Sequence, residues 1–190
     1  MLEIHWTEAG ETRSARWRSE NGSPPPARVL VADDRLTADA ACRLAAQGTA
    51  LLWHGDFHGA RQLLRAMTRR LDPRTPRTGT AAEAFHLHRQ ARARRARVLG
   101  MLLVPLDGEH AVPLRRAPDV RAACAEVYGP ASGPSVTSLR ELLGIVGAHE
   151  WRVKGVAVPA LGDRIHPHYG VFSPVRGEYV DLVARAPLGP

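Results

Sequence analysis

The sequence predicts an α/β fold of the mixed α+β kind, and three observations carry that reading. Strand-like and helix-like patterns alternate as β-α-β-α between residues 28 and 71; a hairpin pattern stands near each end of the chain; and no apolar run approaches the ~20 residues of a membrane span. A chain of 190 residues, 44% hydrophobic and 24% charged with a mean hydropathy of -0.23, suits one packed domain or a domain with a small appendage.

Taken in order, Leu2, Ile4 and Trp6 alternate with polar positions, Gly10 turns the chain, and Ala15 and Trp17 alternate again, which predicts an N-terminal hairpin. Asn21 to Pro26 breaks it, because a proline run cannot donate to a ladder. Arg28–Asp34 reads as a short buried strand. Thr37 caps a helix to Gln47, closed by Gly48, with Ala41, Leu44 and Ala45 inward. Thr49–Trp53 is a second strand. Asp56 caps a helix whose Phe57, Ala60, Leu63, Leu64, Met67 and Leu71 keep helical spacing. This alternation argues for a core with parallel strands.

Asp72 to Thr80 is a proline-punctuated loop, and a helix spans Ala81 to Leu99. Met101–Leu106 and Ala111–Leu114 read as two strands joined at Asp107-Gly108, their prolines suiting edges or strand ends. A helix from Asp119 to Tyr128 and a loop from Gly129 to Pro134 follow. Ser138-Leu139-Arg140-Glu141 has the form of a capping box, opening a helix with Leu139, Leu142, Leu143 and Val146 on one face and Gly155 at its end. Val156–Val158 and Ile165–Phe172 form a hairpin around Gly162-Asp163, stopped by Ser173-Pro174. A short helix over Gly177–Ala184 puts Tyr179, Leu182 and Val183 on its apolar side. The expected division is a hairpin and linker over 1–26, an α/β domain over 27–155, and a hairpin and helix over 156–190.

The net charge is +7 and the pI about 10.6, a balance that favours anionic partners, nucleic acid first. Lys154 is the only lysine, so the charge is carried by arginine, in a chain also rich in alanine and proline, as a GC-rich genome writes any protein. Arg89, Arg92, Arg94, Arg95 and Arg97 crowd into nine residues of the third helix, with no acid between Glu83 and Asp107. As a broad helical face they can fork to phosphate oxygens; as a solvated face they need no ligand. Both readings stand.

Three histidine groups offer metal-ligand residue types. His54-Gly55-Asp56-Phe57-His58 follows a strand, where α/β folds bind ligands, yet Asp56 as a helix cap explains it better. His86 with His88 and His166 with His168 read as surface residues, so no metal is expected. Asp33-Asp34 ends a strand but no glycine-rich loop follows, and there is neither a Gly-x-Ser-x-Gly elbow nor a catalytic Cys/His set. No catalytic residue is assigned. Cys42 and Cys124 stand alone, making neither a disulfide framework nor a zinc site; with no signal peptide at Met1–Trp6, a cytoplasmic protein is expected.

The run from Arg164 to Val183, RIHPHYGVFSPVRGEYVDLV, resembles the entry into the catalytic domain of class I S-adenosylmethionine-dependent methyltransferases, in a bacterial group related to the release-factor glutamine and ribosomal RNA guanine methyltransferases. Upstream segments, among them ADDRLTADAACRLAAQGTALLWHGDF, PLRRAPDV and SLRELLGIVGAHEWRVKG, resemble the amino-terminal region of that group. The resemblance implies that residues 27–155 are a substrate-recognition domain and that a C-terminal catalytic domain is a partner; it leaves RNA, DNA and a protein glutamine open as the acceptor, and the positive charge tilts the choice to RNA or another nucleic acid. It places Tyr169, Phe172, Arg176 and Tyr179 beside a cofactor cleft, although Tyr169 and Phe172 equally read as hairpin core. The chain stops before the glycine-rich cofactor loop and the Asn-Pro-Pro-aromatic motif, so methyl transfer is not expected from this segment alone, nor S-adenosylmethionine binding. A stand-alone basic RNA-binding or regulatory module is the alternative.

Overall fold

The computed structural model describes residues 2–72, 80–172 and 177–187. Its chain forms two compact units, divided between Leu142 and Leu143.

The first unit is built on a six-stranded mixed sheet. Strands β1 (Glu3–Glu8) and β2 (Glu11–Arg18) form the antiparallel hairpin, turned by Ala9 and Gly10, both at positive φ as a two-residue hairpin loop requires. Strand β3 (Arg28–Ala32), helix α1 (Ala38–Ala46), strand β4 (Thr49–Trp53) and helix α2 (Phe57–Arg70) are the expected β-α-β-α run, with β3 and β4 parallel. Thr37 caps α1 by accepting from the Ala40 amide at 3.3 Å. Helix α3 (Ala81–Leu99), strand β5 (Leu102–Leu106), helix α4 (Arg121–Tyr128) and strand β6 (Ser135–Ser138) complete the order β1-β2-β6-β5-β4-β3.

The hairpin, expected as a segment apart, joins this same sheet through parallel pairing of Trp17 with Val136. The sheet curls so far that β1 lies against β3 without pairing to it. Ile4 is buried in one apolar cluster with Trp17, Ala50, Leu52, Leu103 and Val136, and Val29 packs against them. Each such large side chain, sealed from water, contributes roughly 1.5–3 kcal/mol.

Four expectations are corrected. β3 is an edge strand with Leu30 nearly half exposed, not a buried one. Ala111–Leu114 is not a strand, because β4 and β6 already take both sides of β5, and Pro113 has no N–H to offer. Pro105 therefore sits in an interior strand, tolerated because β4 pairs with β5 only at Leu102 and Leu103. The capping box at Ser138 does not form: Glu141 turns instead to the Tyr128 hydroxyl at 2.8 Å and the Glu20 amide at 3.0 Å, and the Ser138 hydroxyl is buried without a partner among the described residues. A capping box forms elsewhere, at Thr80 and Glu83, where it opens α3.

Helix α5 (Leu139–Lys154) runs across the division and ends at Gly155, whose φ of 76° suits a residue without a side chain. Its buried apolar positions are Leu139 and Leu142, as expected, and Ile145, whereas the expected Leu143 and Val146 are only partly buried. The second unit continues with strands β7 (Val156–Val158) and β8 (Asp163–Ile165) and helix α6 (Gly177–Ala184). The hairpin closes on Gly162 as expected, but β8 stops at Ile165, before Pro167 would interrupt the ladder; residues 166–172 are irregular, with a turn at Tyr169-Gly170. No residue of α6 is buried. The Ser173-Pro174 stop, Arg176 and residues 73–79 of the expected loop lie outside the described residues.

A candidate anion site on the arginine helix

Helix α3 meets the rest of its unit only near its C-terminal end, where Val98 and Leu99 are buried; residues 82–90 are exposed on every side. An amphipathic helix would carry an apolar stripe along its length. This one carries Phe85 and Leu87 in the open, with the Arg89 guanidinium 5.8 Å from the centre of the Phe85 ring. A cation beside an exposed aromatic face is a pairing that takes up stacked bases as readily as it stabilises a bare helix.

The five arginines divide. At about 100° per residue, Arg92 and Arg95 share a side with Ala96 and Leu99, while Arg94 and Arg97 point to the far side and are exposed. Arg92 and Arg95 open onto a cavity of about 280 Å³ lined also by Leu64 and Thr68 of α2, Ala96 and Leu99 of α3, and Arg140 of α5. Three guanidinium groups thus surround a pocket whose lining includes two buried leucines. Arg95 is bound to Asp72 at 3.1 Å, an exposed pair of small worth. Among the described residues neither Arg92 nor Arg140 has an acidic partner. Three like charges with a single exposed acid among them repel, so an anion that bridges them removes that repulsion and adds charge-assisted hydrogen bonds. Arg140, expected only as the interior of a cap, was not legible as a site residue; nothing in the spacing links it to α3.

The ends of β3 and β4, where α/β sheets take ligands, are filled by their own side chains. Asp56 caps α2 by accepting from the His58 amide at 2.8 Å, as expected, and its second oxygen binds Arg116 at 2.7 Å and Arg115 at 3.0 Å. The Arg116 hydrogen bond foremost, with the His58 amide and Arg115, holds this carboxyl well below the usual carboxylate range against the opposing effect of burial. Asp34 accepts from the Asp56 amide at 3.1 Å and lies so close to the helix that a Cβ on Gly59 would stand 2.0 Å from its Oδ1. His54 lies 3.0 Å from Glu8 rather than beside His58. No group of three metal-ligating side chains occurs among the described residues.

In the second unit, Phe172 and Tyr179 meet edge to face at 6.4 Å, both exposed. The Tyr169 ring stands 4.0 Å from where a Cβ on Gly144 would be, so it lies over α5. The expected hairpin-core role for Tyr169 and Phe172 is not what these positions show, since neither is in a strand and Phe172 is 73% exposed. Trp151, Val153, Leu161, Val171, Leu182 and Val183 are also exposed in this unit. No helix among the described residues is long and apolar enough to cross a membrane.

No protein-family model matches the chain. Neither the search of curated proteins nor that of solved structures returned a match.

Proposed function

We propose that the chain recognises the acceptor for a class I S-adenosylmethionine-dependent methyltransferase, that the acceptor is RNA or another nucleic acid, and that the chain performs no methyl transfer by itself. The single observation that carries the nucleic-acid part is the set of α3 arginines, of which only Arg95 has an acidic partner among the described residues. Phosphate is the anion that a row of planar, permanently charged forks fits best.

The methyltransferase part rests on the resemblance of residues 164–183, and two features are in keeping with it. At the strand ends, where such folds hold the cofactor, the Asp34 carboxylate is bonded to the Asp56 amide and the Asp56 carboxylate to Arg115 and Arg116. Leu182 and Val183 of α6, with Phe172, Trp151 and Leu161, are exposed apolar side chains of the kind that another protein domain covers. Two free, well-separated thiols suit the cytoplasm.

Fluorescence anisotropy with labelled RNA across a salt series tests the proposal. Binding weakens linearly in log salt, and the triple substitution Arg89→Glu, Arg92→Glu and Arg95→Glu makes the slope shallower by about three, roughly one for each lost phosphate contact. An unchanged slope removes α3 from the interface. Calorimetry with S-adenosylmethionine gives no heat of binding from this chain alone, and tight binding would overturn that half of the proposal.

A further inference from the structure

The pocket between α2, α3 and Arg140 has a chemistry that an arginine row alone lacks. Its lining joins three cations to an apolar part: Leu64 and Leu99 are buried, and Ala96 and Thr68 complete it. At about 280 Å³ it is near the lower end of pockets that enclose small organic molecules. A bare phosphate would leave the leucines unused. A duplex presents its phosphates on a convex surface and hides its base faces in the stack, so it reaches only the cations.

We propose that this pocket holds one unpaired nucleotide of the bound RNA, its phosphate on the guanidinium groups of Arg92, Arg95 and Arg140 and its base against Leu64, Ala96 and Leu99. The inference rests on the nucleic-acid reading of α3 and adds a preference for single strands. Arg92 and Arg140 present forks with no acidic partner among the described residues, and the exposed Arg95–Asp72 pair opens at little cost when a phosphate replaces the carboxylate. The base gains dispersion contact and leaves water, as bases do on the apolar and aromatic platforms of single-strand binders.

Two substitutions separate this pocket from the general charge of the helix. Ala96→Phe fills the apolar part and leaves every charge in place; Arg140→Gln removes a cation that α3 does not carry. Both sites are exposed, and circular dichroism melts confirm that the variants fold. Anisotropy is read with a short single-stranded oligoribonucleotide and with a blunt duplex of the same sequence. Each variant is expected to weaken single-strand binding on the order of tenfold and to leave duplex binding within about twofold. Adenosine 5′-monophosphate is expected to compete for the wild-type pocket and not for Ala96→Phe. Single-strand affinity unchanged in both variants overturns the proposal, as does equal loss on duplex and single strand, or competition by inorganic phosphate as effective as that by the nucleotide. The underlying reading of α3 fails separately: then Arg89→Glu and Arg94→Glu, which lie outside the pocket, leave the salt slope of RNA binding unchanged.

Discussion

The two units spend their apolar residues in opposite ways. In the first, Leu51, Leu52, Leu102, Leu103 and Trp53 are sealed at 0–1% exposure in the middle of the sheet, and outside Leu2, Leu30, Phe85 and Leu87 its large apolar side chains are at least partly covered. In the second, the buried apolar side chains among the described residues are Ile145, Val156 and Val158, while Leu182, Val183 and Phe172 are each more than two-thirds exposed. A short strand pair and an eight-residue helix cannot enclose that much apolar surface. The contrast teaches that the first unit is complete in itself as a packed core, whereas the second carries side chains suited to burial and does not bury them.

Three substitutions and a labelling test break or sharpen this contrast. The largest effect is expected at Leu103→Ala, which opens a cavity at the centre of the sheet and costs about 2–5 kcal/mol in urea unfolding. Its counterpart Leu182→Ala is expected to stay within about 0.5 kcal/mol on the isolated chain. A cost for Leu182→Ala close to that of Leu103→Ala would mean that α6 is already covered, by a second copy or by an arrangement of the chain not described above.

The next effect is in the acid limb of stability. The folded state holds the Asp56 carboxyl below its unfolded value, near ~3.9, so the stability it contributes is whole above that value and drains as pH falls through it towards the folded pKa. Asp56→Asn is expected to melt several degrees lower at neutral pH, and its Tm is expected to fall less steeply below about pH 5 than that of the wild type. Parallel acid limbs would show that the Arg115 and Arg116 contacts do not persist in solution. The smallest effect is a rate. Burial pushes the Cys124 thiol up to about 11 and also raises that of the half-buried Cys42. Iodoacetamide at mildly alkaline pH is expected to label Cys42 slowly and Cys124 only on unfolding. Equal labelling would mean that the first unit opens locally around α4.

Much of the first unit was legible because its signals are local. Thr37, Asp56 and Gly48 punctuate helices with their own side chains or lack of one, and the α2 spacing Phe57, Ala60, Leu63, Leu64, Met67 is the buried face itself. Strand β6 was not legible: Ser-Val-Thr-Ser has one apolar residue, yet Ser135, Val136 and Thr137 are all buried because tertiary pairing on both sides supplies what hydrophobic pattern does not. The box at Ser138 misled for a related reason, since a partner 121 residues away, the Glu20 amide, competes for Glu141. At the candidate site the α3 arginines were legible as a cluster, but not their division between the pocket and the far side. Arg140 was out of reach, because only the tertiary fold brings the first turn of α5 to the same pocket as α2 and α3.

The pairing of β2 with β6 also bears on the order in which the molecule is made. Trp17 finds Val136 only after more than a hundred further residues have left the ribosome, while β3, α1, β4 and α2 have neighbours close in sequence. The β1–β2 hairpin, synthesised before the strand it pairs with, is therefore among the last elements of the sheet to dock, and its apolar Ile4, Trp6 and Trp17 wait in the open until then. The long proline-containing segment after β2 suits such a wait: it keeps the hairpin tethered, without offering a ladder on which a premature partner could add a strand.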